Sequence, residues 1–216
     1  MTTCFQVTSL TLGQLQANCY LVTCCKTKKT LIIDPGDAPE YIVKVIIEKE
    51  LKPELILATH GHFDHLMGAT YLKLTLDIPL ALHQKDEFLL KSIRTSAKHF
   101  LGMEADPPSK VDFYPEDKSE ILIGAGKLRV LETSGHTPGS ICLYYRQDAL
   151  LFCGDLLFKG GGVGRTDFSY SDENKLRASL VKIMALPDRT VVYPGHGELT
   201  TISSERKNLK NYLNSF

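Results

Sequence analysis

Three imidazoles and a carboxylate fall within six residues in the run Thr59-His60-Gly61-His62-Phe63-Asp64-His65. Nitrogen and carboxylate-oxygen donors together suit zinc, iron or manganese. The chain has seven histidines, and three of them are here. A packed core rarely needs that density, because each buried imidazole must find a hydrogen-bonding partner. Asp64 read alone is a helix cap, but capping leaves the surrounding histidines unexplained.

Four apolar runs each end just before a further potential donor. Leu55–Thr59 leads to His60, Leu128–Thr133 leads through Ser134-Gly135 to His136, Ala149–Cys153 leads through Gly154 to Asp155, and Thr190–Tyr193 leads through Pro194-Gly195 to His196. In three of the four a glycine directly precedes the donor, which permits a sharp turn or a close approach to an ion. Singly, His136 and His196 read as turn residues and Asp155 as a turn cap; the shared pattern argues for a common site. The candidates are then His60, His62, Asp64, His65, His136, Asp155 and His196. A catalytic metal takes about three protein ligands and keeps an open position. Seven donors therefore fit two metals with three private ligands each and one shared. A carboxylate can bridge through its two oxygens, which makes Asp64 or Asp155 the shared ligand.

The elements that must hold these residues follow from periodicity. Cys19–Thr23 and Thr30–Ile33 read as strands around a Lys-rich turn, and Asp34-Pro35-Gly36-Asp37 breaks the chain. Pro39–Leu51 and His65–Leu76 carry helical spacing, as does Gln84–Ile93, while 94–115 shows no clear pattern. Ile141–Tyr145 adds another strand; Ser171 is placed to cap a helix running to Ala185, and Ser203–Leu213 reads as a terminal helix. Each half runs strands, helix, strand, helix. That order suits an α+β fold in which two mixed sheets pack together with helices outside, a four-layer αββα sandwich.

A chain of 216 residues, 43% hydrophobic and 23% charged, fits one domain spanning 1–216 with a sizeable core. Its 25 basic and 25 acidic residues give no net charge, which argues against nucleic acid as a partner. The start, Met1–Gln14, lacks a basic and an apolar signal region, and no apolar run spans a bilayer. The expectation is a cytoplasmic, membrane-free monomer whose six cysteines are reduced thiols.

The motifs resemble those of the metallo-β-lactamase superfamily: Thr59-His60-Gly61-His62-Phe63-Asp64-His65, then Ser134-Gly135-His136-Thr137-Pro138-Gly139, Cys153-Gly154-Asp155 and Pro194-Gly195-His196-Gly197, in order over nearly the whole chain. That resemblance implies the αββα sandwich. It also implies His60, His62 and His136 on one metal, Asp64, His65 and His196 on the other, and Asp155 as the bridge. Gly160-Gly161-Gly162-Val163-Gly164-Arg165-Thr166-Asp167, with Thr200-Thr201-Ile202 and Glu205-Arg206, is similar to the compact glyoxalase II-like (hydroxyacylglutathione hydrolase-like) hydrolases. Full-length glyoxalase II adds a helical domain that helps hold glutathione, whereas only 20 residues follow His196 here.

The activity this resemblance implies is hydrolysis of an anionic thioester such as S-lactoylglutathione, by attack of a metal-bridging hydroxide, in a methylglyoxal-detoxification role. Asp64 and Asp155 are then catalytic, and two divalent ions, zinc first, with iron and manganese as alternatives, are the cofactors. The competing readings are a persulfide dioxygenase, similar around the first motif but using one iron on His60, His136 and Asp155, and an RNA phosphodiesterase. Arg165 is either the holder of a substrate carboxylate or half of an ion pair with Asp167. Lys159, Tyr145 and Lys207 are further substrate-side candidates, and His83 and His99 are expected to be structural or exposed.

Overall fold

The structure, a computed structural model, describes residues 5–214. Strands β1 (Phe5–Leu12), β2 (Ala17–Cys24), β3 (Lys29–Ile33), β4 (Lys52–Leu57) and β5 (Leu80–Ala81) form one sheet in that order, antiparallel from β1 to β3 and parallel from β3 to β5. Strands β6 (Glu120–Ile123), β7 (Gly126–Glu132), β8 (Ile141–Tyr145) and β9 (Leu150–Gly154) follow in the chain. After a short ribbon of β10 (Leu157–Phe158) and β11 (Gly162–Val163) come β12 (Val191–Pro194) and β13 (Thr200–Thr201). The second sheet has the order β13-β12-β9-β8-β7-β6, with β9 and β12 parallel.

Alternation along β2 shows how the layers arise. Tyr20 and Val22 point into a core shared with Leu128, Val130, Leu143 and Phe152 of the second sheet. Cys19 and Leu21 point the other way, onto helices α1 (Pro39–Glu48) and α2 (Ala69–Leu76), through Ile42, Val45, Ile46 and Leu72. Beyond α3 (Glu87–Lys91) lies α4 (Ile93–Leu101), whose Ile93 and Ala97 join that same core. A third core lies outside the second sheet, where Leu151 and Cys153 meet Leu176, Leu180 and Ile183 of α5 (Glu173–Met184) and Ile202 of α6 (Ile202–Asn208); α7 (Lys210–Asn214) ends the described chain. Three cores separating four layers make the expected αββα sandwich.

Several boundaries differ from the periodic reading. His65–Leu76 is not one helix: Phe63–His65 forms a tight 3₁₀ turn, and α2 begins only at Ala69 after Gly68 N–H donates to Pro35 O. Ser171 does not cap α5. Its hydroxyl donates to His136 O, and Asp172 caps the helix by accepting from Lys175 N–H. Thr201 caps α6 in the same way, accepting from Ser204 N–H. The Gln84–Ile93 helix breaks at Ser92, and α4 occupies part of the stretch without clear pattern. Cys19, Cys24, Cys142 and Cys153 are buried free thiols, but Cys25 is disulfide-bonded, against the expectation of reduced cysteines throughout. Among the described residues no helix is long and apolar enough to cross a membrane.

Candidate metal centre

The loops at one end of both sheets converge. β4 runs out through Ala58 and Thr59 to His60, β7 leads to His136, β9 to Asp155 and β12 to His196. The two sheets are tied there directly: Asn18 at the start of β2 donates through its backbone N–H to Gly195 O (2.7 Å) and through its side chain to Pro194 O (3.1 Å) and Gly197 O (2.9 Å). Tyr20 Oη donates to Pro194 O at 2.6 Å.

Two donor triads result. His60 Nε2 and His136 Nε2 lie 3.2 and 3.0 Å from His62 Nδ1. His65 Nε2 and His196 Nε2 are 3.3 Å apart, and Asp64 Oδ2 lies 3.7 and 3.3 Å from them. Asp155 sits between, with Oδ1 3.5 Å from His65 Nε2 and Oδ2 3.6 Å from His136 Nε2 and 3.7 Å from His196 Nε2. All seven residues singled out from the sequence are thus brought together, and His60, His62 and His136, and Asp64, His65 and His196, form clusters able to hold an ion.

The outer ring nitrogens decide which way the imidazoles face. His136 Nδ1 meets Arg165 O (2.8 Å) and His196 Nδ1 meets Leu15 O (3.0 Å); a carbonyl only accepts, so both Nδ1 atoms carry the proton. His65 Nδ1 donates to the Asp34 carboxylate (3.1 Å). The hydroxyl of Thr59 gives its one proton to Asp34 Oδ2 (2.7 Å) and so accepts from His60 Nδ1 (3.1 Å). In each case Nε2 faces inward. Ring nitrogens crowded at 3.0–3.3 Å need a shared cation: a proton can serve one pair, whereas a metal ion can serve a whole triad. The buried Asp155 Oδ1 also has no hydrogen-bond partner. The donor set therefore fits metal ions.

Charge follows the same division. Burial, reinforced by neighbouring imidazoles, pushes His60 well down and lowers His62 to about 3, keeping both neutral. Burial also opposes a charged His65, but Asp64, Asp155 and Asp34 outweigh it and lift the ring to about 10. Against its own burial, Asp64 is held far below the usual carboxylate range by His65 and His196. Burial opposes charge on His196 too, and there Asp64 and Asp155 win, raising it. Without a cation, protons on the second triad balance the carboxylates.

The glycines before the donors act for different reasons. Gly154 sits at φ +49°, in the left-handed region. Gly195 is needed for space instead: a Cβ there would lie 2.1 Å from Asp155 Oδ1 and 2.8 Å from His65 Cε1.

The motif reading passed over several residues that build the site. Asp34, read only as a chain breaker, accepts from Thr59 N–H and Oγ1 and from His65. Asp86 is fully buried and accepts from Gly61 N–H (2.9 Å), Thr137 Oγ1 (2.6 Å) and Gly139 N–H (2.6 Å), tying the loop of His60 to the loop of His136. Tyr170 Oη pairs with His62 Nε2 at 2.9 Å. The one available signal was adjacency, Thr59 beside His60 and Asp34 at the end of an apolar run.

A cleft of ≈ 280 Å³ opens onto the triads, lined by Leu15, Phe63, Leu89, Phe100, Phe168 and Tyr170 together with His62, Asp64, His136 and Asp155. Arg165 reaches it, but its Nε and Nη2 donate to Asp167 (2.9 and 2.7 Å) and its guanidinium lies 4.7 Å from the centre of the Phe168 ring. Of the other substrate-side candidates, Lys159 pairs with Glu198. Tyr145 is buried against Phe5 between the sheets, far from any substrate role. His83 is buried and pairs with Glu132, and His99 is exposed, as expected. The glycine-rich loop is held by Glu205, which accepts from Gly160 N–H and Gly161 N–H.

With strand-end donors on an αββα frame, the class is that of two-metal or one-metal enzymes built at the edge of two packed sheets. The sequence profile described as the metallo-beta-lactamase superfamily matches residues 12–196, and the chain belongs to that superfamily. It is similar to a protein of Haemophilus influenzae called hydroxyacylglutathione hydrolase GloC, 35% identical over 93% of this chain and 94% of that one. Among solved structures it resembles BLEG-1, a B3 metallo-beta-lactamase (34% identity, TM-score 0.88, 97% of this chain and 100% of that one). It also resembles TTHA1623, solved in a di-iron-bound form (38% identity, TM-score 0.85, 94% and 98%). The chain is thus a metal-dependent hydrolase by family.

Proposed function

We propose that this protein hydrolyses thioesters with two metal ions, S-lactoylglutathione being the reference substrate. The observation that carries the reading is the pair of converging donor triads with Asp155 facing both. The hydroxyacylglutathione hydrolase name of a relative similar over almost its full length supports the substrate class. His60, His62 and His136 would hold one ion, Asp64, His65 and His196 the other, and Asp155 both. When bound, the ions supply an acidified water and polarise the carbonyl of the thioester.

The chain's own groups do the rest. Asp64 is ionised and lines the cleft, so it orients the attacking water by accepting its hydrogen bond. Phe63, Phe100 and Phe168 exclude bulk water from the reacting carbonyl. The leaving thiolate needs little acid assistance, because a thiol ionises near about 8.5.

Metal analysis combined with thiol release from S-lactoylglutathione, with and without oxygen, tests the reading. Two metals per chain, oxygen-independent release and near-complete loss in His60→Ala and Asp155→Ala are expected. One iron per chain, with oxygen consumed on a persulfide substrate, would sink it in favour of the dioxygenase; cleavage of RNA alone would favour the nuclease.

A further inference from the structure

We infer that the acyl group of the substrate is apolar, an aryl or compact branched alkyl group seated in an aromatic slot beside the metal triads. This rests on the thioesterase reading, keeps its reaction and sets an apolar acyl group in place of the reference lactoyl group. The first half of the chain contributes Phe63 and Phe100, stacked at 5.6 Å with planes 5° apart. The second half contributes Phe168 and Tyr170, stacked at 5.3 Å and 9°. All four rings line the cleft that His62, Asp64 and Asp155 also line. Phe100 is 56% exposed at its mouth, apolar surface that water does not favour and a ligand would cover.

Polar recognition is sparse by contrast. Arg165 is the one lysine or arginine among the lining residues, and Asp167 already engages it through two hydrogen bonds. A peptide carboxylate would have to displace that partner. At ≈ 280 Å³ the cleft falls just below the range of small-molecule sites, about 300–1,000 Å³. That size suits an acyl group and its carbonyl, and leaves the thiol carrier outside.

The test separates acyl from thiol. The metal-loaded protein is assayed on four thioesters, phenylacetyl and lactoyl, each carried on glutathione and on N-acetylcysteamine. Phenylacetyl should be favoured in kcat/KM by about tenfold or more on either thiol, the scale on which apolar pockets discriminate. Phe100→Ala should shrink that ratio by about tenfold, and Phe100→Leu should keep most of it. Phe100 is more than half exposed but stacks on the buried Phe63, so the melting temperature of Phe100→Ala is measured and Phe100→Leu serves as the variant that keeps Phe63 covered. Calorimetry gives a readout without turnover: the inert thioether S-(2-phenylethyl)glutathione should bind the wild type about tenfold more tightly than Phe100→Ala. Equal or better cleavage of the lactoyl thioesters, or a ratio unmoved in Phe100→Ala, overturns the slot while leaving the thioesterase reading intact. Cleavage of none of the four overturns both.

Discussion

Asp34 shows how much of a metal site lies behind its ligands. One buried carboxylate fixes the tautomer of His65 directly and that of His60 through Thr59. Each of the two proposed ions therefore depends on it. Asp34→Ala should weaken metal retention by about 10–100-fold, read by competition with a chelator, while the far-UV circular dichroism stays native. Thr59→Val should act chiefly on the His60 triad, because it removes the partner of His60 Nδ1 while the Thr59 N–H and His65 still hold the Asp34 carboxylate. Equal loosening of both ions in Thr59→Val would contradict this division. The seven donors were legible because their types and spacing are chemically unusual. Asp34, Asp86 and Tyr170 were not, since a single acid or tyrosine has many uses and only the folded chain brings them against the ligand loops.

At the scale of elements, two buried acids hold loops in register. Asp86 satisfies Gly61, Thr137 and Gly139 at once, and burial raises its pKa despite those bonds. Asp86→Ala leaves the buried Gly61 and Gly139 N–H groups unpaired, while Thr137 keeps the Ser140 hydroxyl, and a loss of roughly 1–3 kcal/mol per unsatisfied group bounds the effect. Urea unfolding should show it, together with weaker metal retention. Glu205 accepts from Thr200, Gly160, Gly161 and Asn208, and its pKa is lowered. Since the folded form gives up the proton more readily than the unfolded one, its contribution is present above the unfolded pKa, about 4.3. It fades as pH falls through the lower folded value. The melting-temperature gap between wild type and Glu205→Gln should therefore be wide at pH 6 and close towards pH 3. The glycine loop and the Glu205-Arg206 pair, separate motifs in the sequence, turn out to be one joint. Helix limits were read less well than strands: Ser171 and Asp172 both qualify as caps, and the choice falls to Asp172 because His136 O claims the Ser171 hydroxyl. In 65–76 the apolar spacing is helical, but the contact of Gly68 with Pro35 forces a turn first.

Across the whole molecule, four donors come from residues 60–65 and three from 136–196, so each ion would join the two halves of the sandwich. Metal binding should accordingly stabilise the fold as a unit, by about 2.7 kcal/mol at a hundredfold excess over Kd. A single thermal transition that rises with free metal would show it; two transitions, one metal-insensitive, would count against it. The sandwich was legible from element order, because three apolar faces need three cores. The first strand was not, since its apolar residues change phase, Phe5 and Val7 against Leu10 and Leu12, and it gains its identity by pairing with β2 from Phe5 opposite Cys24 to Leu12 opposite Ala17. The sheets have a working end and a quiet end. The β2–β3, β6–β7 and β8–β9 turns, around Lys26, Gly124 and Gln147, all lie at the end away from His60, His136 and Asp155. Those turns are the natural handles for the experimenter. A fluorophore, an affinity tag or a surface tether attached at Gln147 would leave the reacting end facing solution, and an immobilised catalyst should keep its turnover.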